Sequence, residues 1–178
     1  AAMRWRRIFC ASSRNTSWCP GPTAKPPAKS GSASRSSKRT ARSIGGKVCS
    51  SREELLDNCD AVLVCTPNKT HTEIASAAVA AGKHVFCEKP FSIGIDDARK
   101  LLDIANGGSG VFQVGHNRRF APVYARLKEF LGEDKAHSAH IKMNRGELKN
   151  PVWTGDVNVT GGFLYETTIH LFDMMRFQ

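Results

Sequence analysis

One stretch of the sequence, Asp60 to Pro90, limits the fold more than any other part of the chain. It opens with the valine-rich run Ala61 to Cys65, whose brevity and apolar character are typical of a strand buried on both faces of a sheet. The polar residues Thr66 to Asn68 end this strand. The alanine-rich segment Lys69 to Ala81 then predicts a helix, and His84 to Cys87 predicts a second strand. The sequence therefore predicts a βαβ unit, the building block of a parallel sheet.

Two polar loops follow the two predicted strands. Thr66-Pro67-Asn68 comes after the first strand, and Glu88-Lys89-Pro90 comes after the second. The carboxyl ends of parallel strands lie at the same edge of a sheet, and open α/β sheets bind their ligands at that edge. We therefore expect both loops to line one ligand-binding crevice.

The order and spacing of these loops, together with the helix end Ala81-Gly82-Lys83-His84-Val85, resemble the Gfo/Idh/MocA family of NAD(P)-dependent sugar and polyol dehydrogenases. The resemblance covers about Ser51 to Phe177 and does not reach the first fifty residues. It implies an α/β fold, with a partial Rossmann-like doubly wound parallel sheet followed by the start of an α+β substrate domain. It also implies oxidation of a secondary hydroxyl of a cyclic polyol or sugar with NAD or NADP, and homo-oligomers in complete family members.

The length of the chain, 178 residues, suits one ordinary domain and falls short of the two full domains that the resemblance implies. We expect a disordered basic Ser/Arg/Pro-rich segment at residues 1–43. A partial NAD(P)-binding Rossmann domain at 44–118 and a truncated C-terminal substrate and dimerisation domain at 119–178 would follow. Within the last, residues 137–143 alternate in polarity, which predicts the first strand of that domain's sheet.

The formal net charge of +10 comes from the beginning of the chain. Residues 1–50 contain eleven Lys and Arg and no acid, whereas residues 51–178 contain fifteen bases and sixteen acids. Three explanations stay open: a reading-frame error or mis-joined exon before about Ser43, an organelle transit peptide, and a nucleic-acid-binding tail. The abrupt start of family-like sequence after Ser43 favours the first. Because few aromatic residues accompany the basic ones, nucleic acid is not the expected partner.

No glycine-rich turn for a cofactor pyrophosphate is found in the sequence. In Rossmann domains the backbone of a G-x-G-x-x-G turn binds this group at a helix N-terminus. The first fifty residues contain Gly21, Gly31, Gly45 and Gly46, none of them in that arrangement. The sequence therefore predicts that this chain binds a nicotinamide cofactor weakly or not at all. The alternative function is a non-catalytic relic or binding module with a basic tail.

The six cysteines favour a reducing compartment. Cys65 and Cys87 lie in the predicted buried strands, and no pair has the spacing of zinc ligands. We expect a cytoplasmic protein, or a mitochondrial one if residues 1–43 are a transit peptide. No run approaches the roughly 20 apolar residues that a membrane helix requires, so no membrane partner is expected.

The candidate catalytic residues come from two distant segments. In a predicted helix from Leu164 to Phe177, Glu166 and His170 are spaced i, i+4 and lie on one face. The resemblance implies that Lys89 hydrogen-bonds the substrate hydroxyl, that His170 takes its proton, and that Glu166 orients His170. The alternatives are a solvated helix pair and a zinc site without an evident third ligand. The family usually has aspartate in place of Glu166 and a third glycine in place of Phe163.

The resemblance also implies a set of cofactor-binding residues around the two loops and the segment after the next predicted strand. The alternative interpretation of the same residues is strand-ending turns and ordinary surface charges. The set comprises Thr66, Pro67, Asn68, His71, Glu88, Lys89, Pro90, Asn117 and Arg119.

Overall fold

A computed structural model describes residues 8–11, 46–134, 138–143 and 152–178 of the chain. Its centre is a four-stranded parallel sheet in which the strands lie side by side in chain order. The strands are β1 (Ile8–Ala11), β2 (Ala61–Val64), β3 (His84–Glu88) and β4 (Phe112–Gly115). The sheet confirms the predicted α/β class with a Rossmann-like parallel sheet.

Six α-helices accompany the sheet in the described residues. They are α1 (Arg52–Asp57), α2 (His71–Ala80), α3 (Ile95–Gly107), α4 (Pro122–Leu131), α5 (Val157–Thr160) and α6 (Ile169–Phe177). Helix α2 connects β2 to β3, packs on both strands and contacts α3. The predicted βαβ unit is therefore formed. None of the helices in the described ranges is long and apolar enough to cross a membrane.

Strand β1 corrects the prediction that residues 1–43 are disordered. Ile8–Ala11 pairs in parallel with Ala61–Val64, so the prediction is wrong for these four residues. The cause is a short run of strand-forming residues inside a strongly basic segment, which the segment's average composition conceals. A neighbouring strand supplies the backbone hydrogen bonds that such a run lacks alone. The rest of the segment lies outside the described residues.

The hydrophobic core lies between the sheet and its helices. Leu101 of α3 and Ala78 of α2 are fully buried, and the side chains of β2 and β3 alternate between buried and half-buried. Burial raises the pKa of the Cys87 thiol to about 12, so this cysteine is protonated and acts as a core residue. At the start of α1 the Ser51 side chain accepts a hydrogen bond from the Glu54 backbone N–H at 3.1 Å, an N-cap.

Residues 138–143 do not form the strand that their alternating pattern predicts. The structure gives them an irregular backbone, and Ile141 is 41% exposed. Alternation specifies two faces, but a strand also needs a hydrogen-bonded neighbour. The described part of the chain pairs no strand with this segment. His137, the first residue of the predicted strand, lies outside the described residues.

The predicted helix at Leu164 to Phe177 is divided into two parts. Leu164–Thr168 forms a π-helical turn, and α6 continues from it as an α-helix. Gly161 and Gly162 precede the turn with φ of 80° and 84°, a left-handed conformation that favours glycine. Phe163 has a helical φ of −58° and is 58% exposed, so a side chain fits where the family has a third glycine.

Candidate active site

The loops after β2 and β3 lie side by side at the carboxyl edge of the sheet, as predicted. His71 connects them: its Nδ1 atom lies 2.6 Å from the Pro90 carbonyl oxygen, and its Nε2 atom lies 2.6 Å from the Thr66 carbonyl oxygen. The His71 side chain is 1% exposed. His71 therefore holds the two loops at a set distance, and its cofactor contact stays a prediction.

The first loop turns most of its side chains inward. Thr66 is 7% exposed, and its hydroxyl lies 2.7 Å from the hydroxyl of Thr70. Asn68 is 5% exposed, and its Nδ2 atom donates to the Thr160 carbonyl at 2.9 Å and to Glu166 Oε2 at 2.8 Å. Pro67 is the half-buried member of this loop. These side chains are therefore used inside the protein, and cofactor binding by Thr66 and Asn68 stays a prediction.

The second loop places Lys89 against the segment before α6. Its Nζ atom donates to the Glu166 backbone carbonyl at 2.7 Å and lies 3.5 Å from Glu166 Oε1. The two side chains are 14% and 21% exposed, so water screens this ion pair only in part. Glu88 is half-buried, whereas Pro90 is buried and follows a cis peptide bond. The structure therefore brings together two of the three predicted catalytic side chains.

His170, the third predicted catalytic residue, is 8% exposed on α6. Burial, the cations Lys89 and Arg118 and the neighbouring His116 together lower its pKa to about 4, against the opposing effect of Asp173. Its Nδ1 atom is buried without a hydrogen-bond partner in the described residues. The imidazole is therefore neutral at neutral pH.

Glu166 does not orient His170 in the structure. The Glu166 carboxylate contacts Asn68 and Lys89, and no hydrogen bond joins it to His170 within the described ranges. The carboxylate is instead held by partners on the loops after β2 and β3, and Glu166 itself lies in the π-helical turn at Leu164–Thr168.

Two site residues, His116 and Asp173, were not assigned a role from the sequence. His116 follows β4 at the same edge of the sheet, with its Nδ1 atom 3.7 Å from Asp173 Oδ2. Its ring packs edge-to-face on His170, with 6.4 Å between centroids. Burial lowers the pKa of His116, as it does for His170. The position of His116 directly after a predicted strand was the signal that could have identified it.

The residues after β4 differ in their contacts. The Arg119 guanidinium donates two hydrogen bonds to Asp173, with Nε at 2.9 Å from Oδ2. This contact lowers the pKa of Asp173. Asn117 is exposed, and Arg118 is half-buried with no ion-pair partner in the described part of the chain. Of the two arginines Arg118 and Arg119, only Arg119 has an ion-pair partner among the described residues.

The carboxyl edge of the sheet is where a nucleotide cofactor binds in parallel α/β sheets. The half-buried residues Pro67, Glu88 and Lys89 present backbone and polar atoms where parallel sheets bind nucleotides. The residues after β1, where a pyrophosphate turn would lie, are outside the described residues. In the described ranges no three His, Cys, Asp or Glu side chains are grouped to hold a metal ion.

Curated relatives include polyol dehydrogenases. The chain is 35% identical over 120 residues to myo-inositol 2-dehydrogenase of Thermotoga maritima, a match that covers 67% of this chain and 36% of the relative. It is 36% identical over 123 residues to inositol 2-dehydrogenase of Paracoccus denitrificans, covering 66% and 34%. The chain thus spans little more than a third of the length of these relatives.

Solved structures share the fold. An NAD-binding protein from Listeria innocua superimposes with a TM-score of 0.63 at 29% identity, covering 79% of this chain and 43% of that one. GenD2 from gentamicin A biosynthesis, solved in complex with NAD, gives a TM-score of 0.66 at 25% identity, covering 80% and 43%. These neighbours support a Rossmann architecture for the described residues.

A family model described as an oxidoreductase family with an NAD-binding Rossmann fold matches residues 21–116, more than half of the chain. The match begins well before Ser51, so the expectation that the resemblance excludes the first fifty residues is wrong. Short motifs identified only the second half of the nucleotide-binding region. The chain belongs to the Gfo/Idh/MocA family of oxidoreductases.

Proposed function

We propose that this chain carries the reacting side chains of an NAD(P)-dependent oxidoreductase that oxidises a secondary hydroxyl of a cyclic polyol or sugar. The main support is the contact between Lys89 and Glu166, which are 77 positions apart, near the buried His170. The inositol dehydrogenases among the relatives support the substrate class.

His170 is the proposed base. Burial and the nearby charged groups lower the pKa of His170 to about 4, so the imidazole is uncharged at neutral pH, as a base must be, although the low pKa also weakens it as a base. Its Nδ1 atom is fully buried, so we assign the proton transfer to Nε2. The substrate hydroxyl gives its proton to Nε2, while the carbon that bears this hydroxyl loses a hydride and becomes a carbonyl carbon. A bound NAD(P)+ supplies the acceptor for that hydride.

Lys89 is the proposed electrostatic partner of the reacting oxygen. An ammonium group has three N–H donors, and Glu166 engages two of them through its carbonyl and carboxylate oxygens. The third N–H is available to the substrate oxygen, where negative charge develops as the proton leaves. Glu166 holds the ammonium group in place and offsets part of its charge.

The half-buried residues Pro67 and Glu88 and the exposed Asn117 are the proposed cofactor contacts. The buried members of the predicted set, Thr66, Asn68, His71 and Pro90, shape the loops from inside. The remaining members are Lys89, which also contacts Glu166, and Arg119, which is hydrogen-bonded to Asp173.

The test is turnover of a panel of cyclic polyols and sugars with NAD+ or NADP+ at high cofactor concentration, followed by absorbance of the reduced nicotinamide. Lys89→Ala and His170→Gln are expected to lower kcat by about 100-fold or more. Lys100→Ala and His140→Gln, at exposed positions, serve as controls and should leave kcat unchanged. Equal turnover in all four variants would contradict the proposal.

A second candidate function is a non-catalytic binding module. The observation that favours it is the charge of the first fifty residues, which contain eleven bases and no acid. Nucleic-acid binding by such a segment should fall steeply with salt and vanish when residues 1–43 are removed. Binding that survives the deletion would exclude this candidate.

A further inference from the structure

The side chain of Asn68, in the loop after β2, contacts residues that lie far along the described chain. It contacts Thr160 and Glu166, which are 92 and 98 positions away. With 5% of its surface exposed, Asn68 is almost removed from solvent. Both hydrogens of its Nδ2 atom have acceptors, at 2.9 Å and 2.8 Å. The amide is therefore fully used inside the protein and has no donor left for a ligand.

The carboxylate of Glu166 is held from two sides. Its Oε2 atom accepts from Asn68 at 2.8 Å, and its Oε1 atom lies 3.5 Å from Lys89 Nζ. The Glu166 backbone carbonyl also accepts from Lys89, at 2.7 Å. If the contact with Asn68 is lost, the carboxylate can rotate about its last torsion, which is broad for glutamate. The position of the Lys89 ammonium then changes with it.

We propose that Asn68 is a positioning residue that holds the Glu166 carboxylate and, through it, sets the position of the Lys89 ammonium group. The role of the positioned ammonium rests on the proposed function, whereas the contacts themselves do not. Asn68 thus connects the nucleotide-binding sheet to the segment that precedes α6. It acts on the reaction through Lys89 and does not touch the cofactor.

The experiment measures the accessibility of Lys89 without cofactor or substrate. The purified chain is treated briefly with an amine-acylating reagent, and labelling of each lysine is quantified by mass spectrometry. In Asn68→Asp the new carboxylate repels Glu166, and in Asn68→Ser the amide is lost without added charge. Both variants should raise the rate of Lys89 labelling on the order of ten-fold, the effect of losing a hydrogen bond to a charged group.

Three controls make the result specific. Labelling of the exposed Lys100 should stay constant in every variant. Asn58→Asp is a matched change at an amide that donates to the Glu54 carbonyl, remote from the site, and should leave Lys89 unchanged. The double variant Asn68→Asp with Glu166→Gln exchanges donor and acceptor, so it should restore part of the protection of Lys89.

Unchanged Lys89 labelling in both Asn68 variants, with circular dichroism as in the wild type, would overturn the proposal. So would an equal increase at Lys100, because that result indicates general unfolding. Because labelling needs no turnover, a failed dehydrogenase assay leaves this test intact.

Discussion

Arg119 donates hydrogen bonds to both carboxylate oxygens of Asp173, joining the segment after β4 to helix α6. The Asp173 side chain is 8% exposed, and that of Arg119 is 40% exposed. His116 lies 3.7 Å from the same carboxylate. This aspartate therefore anchors α6, and with it His170, to the carboxyl edge of the sheet.

Asp173→Asn should lower the free energy of unfolding by about 1–2 kcal/mol. The value lies below the loss for a fully buried pair because Arg119 is partly solvated. Urea unfolding measures the change, and Asp103→Asn at an exposed position of α3 is the control. Equal stability of the two variants would show that the pair does not anchor α6.

His170 should make stability depend on pH. Its pKa is about 4 in the folded chain against an ordinary value of 6.5, so the unfolded chain binds more protons between these values. Stability from this residue is complete above the higher value and is lost as pH falls through the window. We expect a loss on the order of 3 kcal/mol by pH 4.

Urea unfolding of wild type and His170→Gln across that pH range checks this expectation. The variant should show a shallower fall in stability, and His140→Gln, at an exposed position, should follow the wild type. Parallel curves for His170→Gln and wild type would contradict the expected role of His170.

Gly161→Ala should destabilise the turn before the π-helical segment. The glycine has a φ of +80°, and an added Cβ would lie 2.9 Å from Ile93 Cγ2 and 3.0 Å from Tyr165 Cδ2. The left-handed conformation alone costs an alanine about 1–2 kcal/mol. Gly107→Ala in α3 is the control, because its Cβ would meet nothing within 4 Å. Thermal unfolding should separate the two, with the control neutral or slightly stabilised.

Leu101→Ala should lower the free energy of unfolding by about 2–5 kcal/mol, since Leu101 is fully buried between α3 and the rest of the core. Its neighbour Leu102 is 42% exposed, and Leu102→Ala should have a much smaller effect. Chemical denaturation of both variants gives the comparison. Similar losses of stability in the two variants would contradict the placement of Leu101 in the hydrophobic core.

Calorimetry should detect little binding of NADH or NADPH to this chain, with a Kd weaker than about 1 mM. Strand β1 is present, but the sequence after it contains no G-x-G-x-x-G turn for the pyrophosphate. Submillimolar binding would show that another segment holds the cofactor phosphates, and would favour an active oxidoreductase.

Local patterns predicted the centre of the fold well. Strands β2 and β3 and helix α2 were predicted within two residues of their observed ends, because short apolar runs and a helical stripe depend on neighbouring residues alone. Strand β1 and the irregular backbone at 138–143 were missed, because pairing depends on a distant strand. The catalytic roles of Lys89, Glu166 and His170 stay predictions.

By itself, the sequence determined which loops meet at the carboxyl edge of the sheet, since a parallel βαβ unit places them there whatever lies around it. Only the tertiary structure decided the partners within the site. Glu166 contacts Lys89 and Asn68, from 77 and 98 positions away, instead of His170 on its own helix. The physical reason is that the parallel sheet brings the loops carrying Asn68 and Lys89 to one edge, where an amide donor and an ammonium group hold the Glu166 carboxylate.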